Sequence, residues 1–192
     1  MVTLVSINIK SDFGFLKKPD TNDPIYLTFN MLHKPCLLGI LGAIVGEKGF
    51  QNYGVMPEYY QKLKSIKVSI APLKENGKTY HENGNFTKTV IKYNNTTGLA
   101  SEEESGNLMI TEQTLVAPAF KCWILLNLER EIEAKLYNFL KENKAEYLPY
   151  LGKNEFSLWW DNFNEYEYEP FYPNEEFQIN SLFIKEETVK EG

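Results

Sequence analysis

Four side chains in the first half of the sequence have the types that proton transfer uses: Tyr26, His33, Tyr80 and His81. A histidine exchanges a proton near neutral pH and a tyrosine orients it, which is the equipment of metal-independent RNA cleavage. Their spacing does not force them together, so both histidines also read as loop residues without a proton-transfer partner. No catalytic residue is assigned on this basis; Tyr26, His33 and His81 stand as a runner-up set. A second group suits binding. Lys10, Lys17 and Lys18 flank Phe13-Gly14-Phe15. A glycine between aromatics lets a backbone come close, the rings can stack on bases, and the lysines can pair with phosphates. The same two rings also read as the closing edge of a core.

The block Lys34-Pro35-Cys36-Leu37-Leu38-Gly39-Ile40-Leu41-Gly42-Ala43-Ile44-Val45-Gly46 reads as a helix that is apolar all round. A proline opens it and a glycine closes it. Glycines inside a helix cost about 1 kcal/mol each relative to alanine. Gly39, Gly42 and Gly46 share one face. That face, bare of side chains, is expected to let another backbone approach: a sheet, a helix or a nucleic acid. The block is not a phosphate loop, because Gly-Lys-Ser/Thr is absent, and it lacks the dinucleotide fingerprint. There is no nucleophile elbow and no metal-ligand spacing, and two histidines alone build no common zinc site. Glu102-Glu103-Glu104 reads as a solvated charge run. No cofactor is expected.

The 192 residues fit one domain with an elaboration, or one and a half small domains. No stretch approaches the roughly 20 apolar residues of a membrane span, and the N-terminus lacks the pattern of a signal peptide. A cytoplasmic protein with no membrane partner is expected, with Cys36 and Cys122 as reduced core thiols. The net charge of −6 argues mildly against bulk nucleic-acid binding, but it is unevenly spread. Residues 61–92 carry seven lysines against Glu75 and Glu82, whereas residues 129–192 carry fifteen acids against seven bases. Lys88 and Lys92 in the basic stretch are candidates for further phosphate contacts.

The elements that must carry these residues follow from periodicity. Val2 to Ile9 alternates as a strand, and Ile25 to Phe29 is a short extended piece. The glycine helix spans about 35–46, and Met56 to Lys64 forms a short helix. Ile66 to Ala71 alternates strictly, Asn76-Gly77 is a hairpin turn pair, and Thr87–Tyr93 and Leu108–Leu115 are extended around a polar tip. Phe120 to Leu128 is a central strand and Glu129 to Lys144 an amphipathic helix with Ile132, Leu136, Phe139 and Leu140 on one stripe. Strands follow at Phe156–Phe163 and near Gln178–Ile184. Without the hairpin the order is βαββαβ, an α+β, ferredoxin-like or RRM-like arrangement. One domain over 1–163 and a short acidic, aromatic extension over 164–192 are expected.

Together these pieces resemble the Cas-five family, a CRISPR-associated branch of the RAMP superfamily. The resemblance rests on Phe13-Gly14-Phe15-Leu16-Lys17-Lys18-Pro19, Tyr26-Leu27-Thr28-Phe29, Lys34-Pro35 and Leu38 to Gly46. The later Pro149-Tyr150-Leu151-Gly152-Lys153-Asn154-Glu155-Phe156 is similar to the family's second motif. The spacing looks closest to the type I-B subtype. The family's usual proline pair is reduced to Pro35, and lysines replace arginines after Phe15.

The resemblance implies a subunit of the Cascade surveillance complex that holds the 5′ handle of the CRISPR RNA in antiviral defence. Its partners would be that RNA, the backbone RAMP subunit and the large subunit, with target DNA met only indirectly. It implies a thumb hairpin between the second and third core strands, here about 78–117. The RNA-binding set would be Lys10, Phe13, Gly14, Phe15, Lys17, Lys18, Tyr26, His33, Lys34, Gly39, Gly42, Lys88 and Lys92. Type I-C relatives cleave RNA, so a metal-independent endoribonuclease processing CRISPR RNA is the alternative.

Overall fold

The computed structural model describes residues 1–19, 25–75, 78–79, 86–95, 108–167 and 181. Four strands form the main sheet: β1 (Val2–Ser11), β3 (Lys67–Pro72), β8 (Ala119–Asn127) and β9 (Leu158–Tyr166). Their spatial order is β3-β8-β1-β9, and each adjacent pair is antiparallel. Helix α1 (Lys34–Val45) lies in the crossover from β1 to β3, together with the short α2 (Glu58–Leu63), and α3 (Glu131–Glu142) in the crossover from β8 to β9. Numbered as core strands, the sheet reads 2-3-1-4 with two βαβ crossovers, which is the ferredoxin-like α+β arrangement.

Alternation sets the two faces of the sheet. Val5, Ile7 and Ile9 of β1 and Phe120, Cys122, Ile124 and Leu126 of β8 point into the core. Leu37, Leu38, Leu41 and Ile44 of α1 and Leu136 and Leu140 of α3 meet them from the helix side. Each such side chain contributes about 1.5–3 kcal/mol of burial. α1 is apolar all round because it is buried beneath neighbours on several sides. Its ends follow its sequence. His33 caps the start, Pro35 sits in the first turn, and Gly46 takes φ +87° at the end. On the other side of α1, Gly42 is buried under Tyr59 of α2; a Cβ on Gly42 would lie 2.6 Å from Tyr59 Cβ. The glycine face is therefore filled at Gly42 by this chain's own tyrosine. This corrects the expectation of a bare face open to another backbone: tertiary placement of α2 decided it.

α3 carries Glu131 and Glu133 in its first turn and Lys141 in its last, as the helix dipole favours. Glu133 is buried and accepts a hydrogen bond from Asn127 N–H at 2.7 Å. Arg130, the sole arginine of the sequence, pairs with Glu133 and donates to Ser65 Oγ (2.7 Å) and Lys62 O (3.0 Å). It ties the end of α2 to the start of α3.

A second sheet has the order β2 (Phe13–Gly14), β7 (Leu108–Val116), β6 (Lys88–Asn95). β6 and β7 form an antiparallel hairpin from Lys88↔Leu115 to Asn95↔Leu108, inserted in chain order between β3 and β8. β4 (Lys74–Glu75) and β5 (Lys78–Thr79) make a two-residue ladder between them. The extended piece at 25–29 is not a strand but makes single bridges, Tyr26 to Glu112 and Thr28 to Lys17. β9 continues through Tyr166, past the expected end of the domain at 163. Ala117 and Asn162 adopt positive φ, the first between β7 and β8, the second at a bulge in β9 opposite Ser6 and Asn8. Among the described residues no helix is long and apolar enough to cross a membrane.

Candidate nucleic-acid interface

The second sheet gathers residues that the sequence scatters. Tyr26 N–H donates to Thr111 O (3.0 Å) and Tyr26 O accepts from Gln113 N–H (2.8 Å), so the Tyr26 segment lies beside β7. Lys92 pairs with Thr111 from the other side. Lys88 pairs with Leu115, which pairs with Gly14. Two rows therefore cross the sheet, Ile91–Glu112–Tyr26 and Lys88–Leu115–Gly14, with about 4.8 Å per strand step, and Lys92, next to Ile91 on β6, shares the alternate face with Lys88. Lys17 lies over the Tyr26 ring at 4.4 Å, and Lys18 over the Phe29 ring at 5.7 Å. His33 meets the same Phe29 ring edge-on, with centroids 5.3 Å apart. Lys17, Lys18, Lys34, Lys88 and Lys92 form no ion pair among the described residues. Lysines stacked on rings and free of carboxylates are the equipment for phosphates beside unstacked bases.

The two sequence motifs meet here. Phe15 N–H donates to Leu151 O at 3.0 Å. Gly14 packs so tightly on Leu151 that a Cβ would lie 2.6 Å from its Cδ2. Phe13, 39% exposed, faces the Phe156 ring at 5.9 Å. Gly152 holds φ +89° against the carbonyl of Phe15. Beside this contact Lys153 donates to both oxygens of Glu112 (2.7 and 2.8 Å) and to Tyr93 Oη (2.9 Å). Tyr93 Oη donates in turn to Glu112 at 3.2 Å. The ammonium also lies over the rings of Tyr93, Phe15 and Phe156, at 4.6, 5.5 and 5.9 Å. Glu112 is only 2% exposed. Burial opposes the charge on Lys153, but the Glu112 and Tyr93 contacts outweigh it and hold its pKa above the ordinary lysine value. Lys153, Glu112 and Tyr93 are the residues that sequence reasoning missed. Lys153 lay within a quoted motif, but nothing in the chain pointed to its partner on β7.

The remaining candidates are placed differently. Lys10 pairs with Asp161 at 3.0 Å on the main sheet. It lies on the face of β1 opposite Val5, Ile7 and Ile9. Gly42 is covered by Tyr59, whereas Gly39 lines an open cleft in which an added Cβ would first meet Tyr59 Oη, at 3.5 Å. His33 spends Nδ1 on the cap of α1, accepting from Cys36 N–H at 3.4 Å. Its partial burial pulls its pKa below the ordinary histidine value. His33 and Tyr26 share no hydrogen bond; Tyr80 and His81 lie outside the described residues, as do Asn76-Gly77, most of the hairpin tip and the strand expected near 178–184. Burial pushes the Cys36 thiol up to about 12, and the partly buried side chain packs against the core. No cluster of metal-ligating side chains occurs among the described residues.

No protein-family model matches the sequence, and no curated protein does. Among solved structures, a chain of a CRISPR RNA-guided surveillance complex is similar with a TM-score of 0.53 at 12% identity, over 79% of this chain and 58% of that one. A chain of a type IV-B CRISPR complex is similar at 10% identity with a TM-score of 0.42, over 98% of this chain and 100% of that one. A CRISPR protein from Archaeoglobus fulgidus is similar at 12% identity with a TM-score of 0.38, over 87% and 65%. The chain thus spans 58% of the length of the surveillance-complex chain it matches. At such identities the likeness is one of architecture: this chain has a ferredoxin-like α+β fold in common with a chain of a CRISPR RNA-guided surveillance complex.

Proposed function

We propose that this chain is an RNA-binding subunit of a type I, I-B-like Cascade surveillance complex and that it grips the 5′ handle of the CRISPR RNA. The observation that carries the reading is the strip of Lys17 on the Tyr26 ring and Lys18 on the Phe29 ring, at the side of a sheet whose β6 carries Lys88 and Lys92. These lysines form no ion pair among the described residues, and the floor of the strip is fixed where the Phe13-Gly14-Phe15 and Leu151-Gly152-Lys153 segments lock together. The shared architecture with a surveillance-complex chain and the motif resemblance support the choice of ligand. In this reading the β6–β7 hairpin acts as the thumb, and Lys34 and Gly39 border the RNA path. The reading drops Gly42, which Tyr59 covers, and leaves Lys10 with Asp161. It assigns no catalysis; His33 enters it as the cap of α1, through Nδ1.

The test is titration of the full chain with single-stranded RNA carrying a CRISPR 5′ handle, across a series of salt concentrations. Each phosphate contact contributes a slope of about 0.7 in log affinity against log salt for a single strand. Lys17→Ala/Lys18→Ala is expected to weaken binding and flatten that slope by roughly 1.4. Salt-insensitive binding, or a slope unchanged by the double substitution, would overturn the reading. RNA cleavage in EDTA that is lost in His33→Ala or His81→Ala would favour the nuclease alternative.

A further inference from the structure

A cleft of about 720 Å³ opens where α1, the loop after it and the loop between α3 and β9 meet. Its floor is Gly39 with the Tyr59 ring, and its walls include Phe50, Tyr147, Leu148 and Tyr150. Phe50, Tyr147, Leu148 and Tyr150 are all strongly exposed for their size, a concentration of apolar surface that calls for an occupant. The phenol hydroxyls of Tyr59 and Tyr150 make no hydrogen bond among the described residues, so polar handles stand unspent beside the rings. The rim offers cations to a phosphate. Glu47 is held by Lys62 at 2.8 Å, a lysine that Glu58 shares at 2.7 Å, whereas Lys48 lines the cleft without an ion pair among the described residues. Lys34, which forms no ion pair among the described residues, immediately precedes the lining residue Pro35. Gly152 lines the cleft as well, and it is the residue pressed against Phe15 of the lysine strip. The cleft therefore continues the strip past the Phe15–Gly152 contact.

We infer that this cleft receives one unstacked base of the bound RNA strand, resting on the RNA-binding reading above. The base stacks against Tyr150 and Phe50, its edge meets the Tyr59 and Tyr150 hydroxyls, and the flanking phosphate meets Lys48. Rings serve any base because every base has a π face, and the phenols add edge contacts that select among bases. The missing side chain at Gly39 leaves the depth that a planar base needs.

The experiment uses the full chain and single-stranded handle RNA with 2-aminopurine placed at each position in turn. One position is expected to be quenched on binding, and Tyr150→Ala or Phe50→Ala should restore its fluorescence and weaken affinity roughly 5- to 100-fold. Both side chains are exposed and make no side-chain hydrogen bond among the described residues, so the fold should survive their loss. An abasic nucleotide at that position should weaken the unaltered chain by the same factor and Tyr150→Ala hardly at all. Lys17→Ala/Lys18→Ala should weaken binding without changing which position is quenched. Salt-sensitive RNA binding in which no position responds to Tyr150→Ala or Phe50→Ala would overturn the cleft assignment and leave the strip standing. That result, with loss of a protein subunit from the assembly in the same variants, would assign the cleft to a protein segment. Absence of any RNA binding would overturn both.

Discussion

Gly152 lies against Phe15 so closely that a Cβ built on it would be 1.8 Å from the Phe15 carbonyl oxygen. No side chain fits there, and the backbone conformation, φ +89°, is one that side-chain-bearing residues rarely adopt. The Phe15–Leu151 hydrogen bond next to it needs that approach. One glycine thus holds the lysine-bearing segment after β2 to the loop before β9.

Gly152→Ala should cost about 3 kcal/mol, because left-handed strain adds to a backbone clash that no rotamer relieves. For a chain of this size that is a drop of about 6–12 °C in Tm. Gly49→Ala is the control: nothing lies within 4 Å of its Cβ, and the change should stay within about 0.5 kcal/mol. Thermal melts of the two variants decide the matter. Equal melting points would show that the two motifs are not locked through this contact.

Lys153 and Glu112 form the second lock. Lys153→Met leaves the Glu112 carboxylate buried without its cation, which should cost about 3–5 kcal/mol. Lys153→Met/Glu112→Leu should recover most of that loss, since a packed apolar pair replaces a buried ion pair at little cost. The pH dependence has a definite sign. The folded-state pKa of Lys153 is raised above the ordinary value of 10.5. Its contribution is therefore complete below pH 10.5 and is lost as pH rises through the folded pKa. Urea midpoints at pH 9 and pH 11 should fall further for the unaltered chain than for the double variant.

Much of this fold was legible because it is set locally. Strict alternation marked β3, one apolar stripe marked α3, and Pro35 and Gly46 bounded α1 to within a residue or two. The order of core strands then left few topologies to choose from. The site was legible only as fragments. Phe13-Gly14-Phe15 and Leu151-Gly152-Lys153 were both singled out, but their contact is tertiary and no local periodicity carries it. Nothing in the sequence joined Glu112 to Lys153, because a single charged residue shows its partner only after folding. Tyr59 could not be foreseen over Gly42, since the short α2 can pack in many ways until the core fixes it. Lys10 alternates correctly along β1 and still belongs elsewhere, because Asp161 on β9 claims it.

Gly39 and Gly42 make a sharp pair of opposites. At Gly39 an added Cβ meets only ordinary contact with Tyr59, at 3.5 Å, so Gly39→Ala should stabilise α1 by up to about 1 kcal/mol through helix propensity. At Gly42 the same methyl lies 2.6 Å from Tyr59 Cβ and 2.9 Å from Cγ. Gly42→Ala must push α2 away and should cost about 1–3 kcal/mol in net stability. Urea denaturation of the two single variants should move the midpoint in opposite directions. A Gly42→Ala chain as stable as the parent would mean that Tyr59 does not seal this face.

His33 gives the fold a titration of its own. Its imidazole, half buried, accepts from Cys36 N–H through Nδ1, which requires that nitrogen to be unprotonated. Burial lowers its pKa from the usual 6.5, so the native state resists a proton that the unfolded chain takes up. Stability should therefore fall as pH drops below about 6.5 and level off beneath the folded pKa. Protonation also places a positive charge at the start of α1, where the helix dipole disfavours it. His33→Asn keeps a capping acceptor and removes the titration. Urea midpoints measured at pH 7 and pH 5 should diverge, with the unaltered chain losing more than His33→Asn. His81, present in both chains, cancels from the comparison. His33→Ala should be about 1 kcal/mol less stable than the parent at pH 7, where the neutral cap is intact. Parallel losses in the parent and His33→Asn would show that another group titrates and that Nδ1 does not hold the cap.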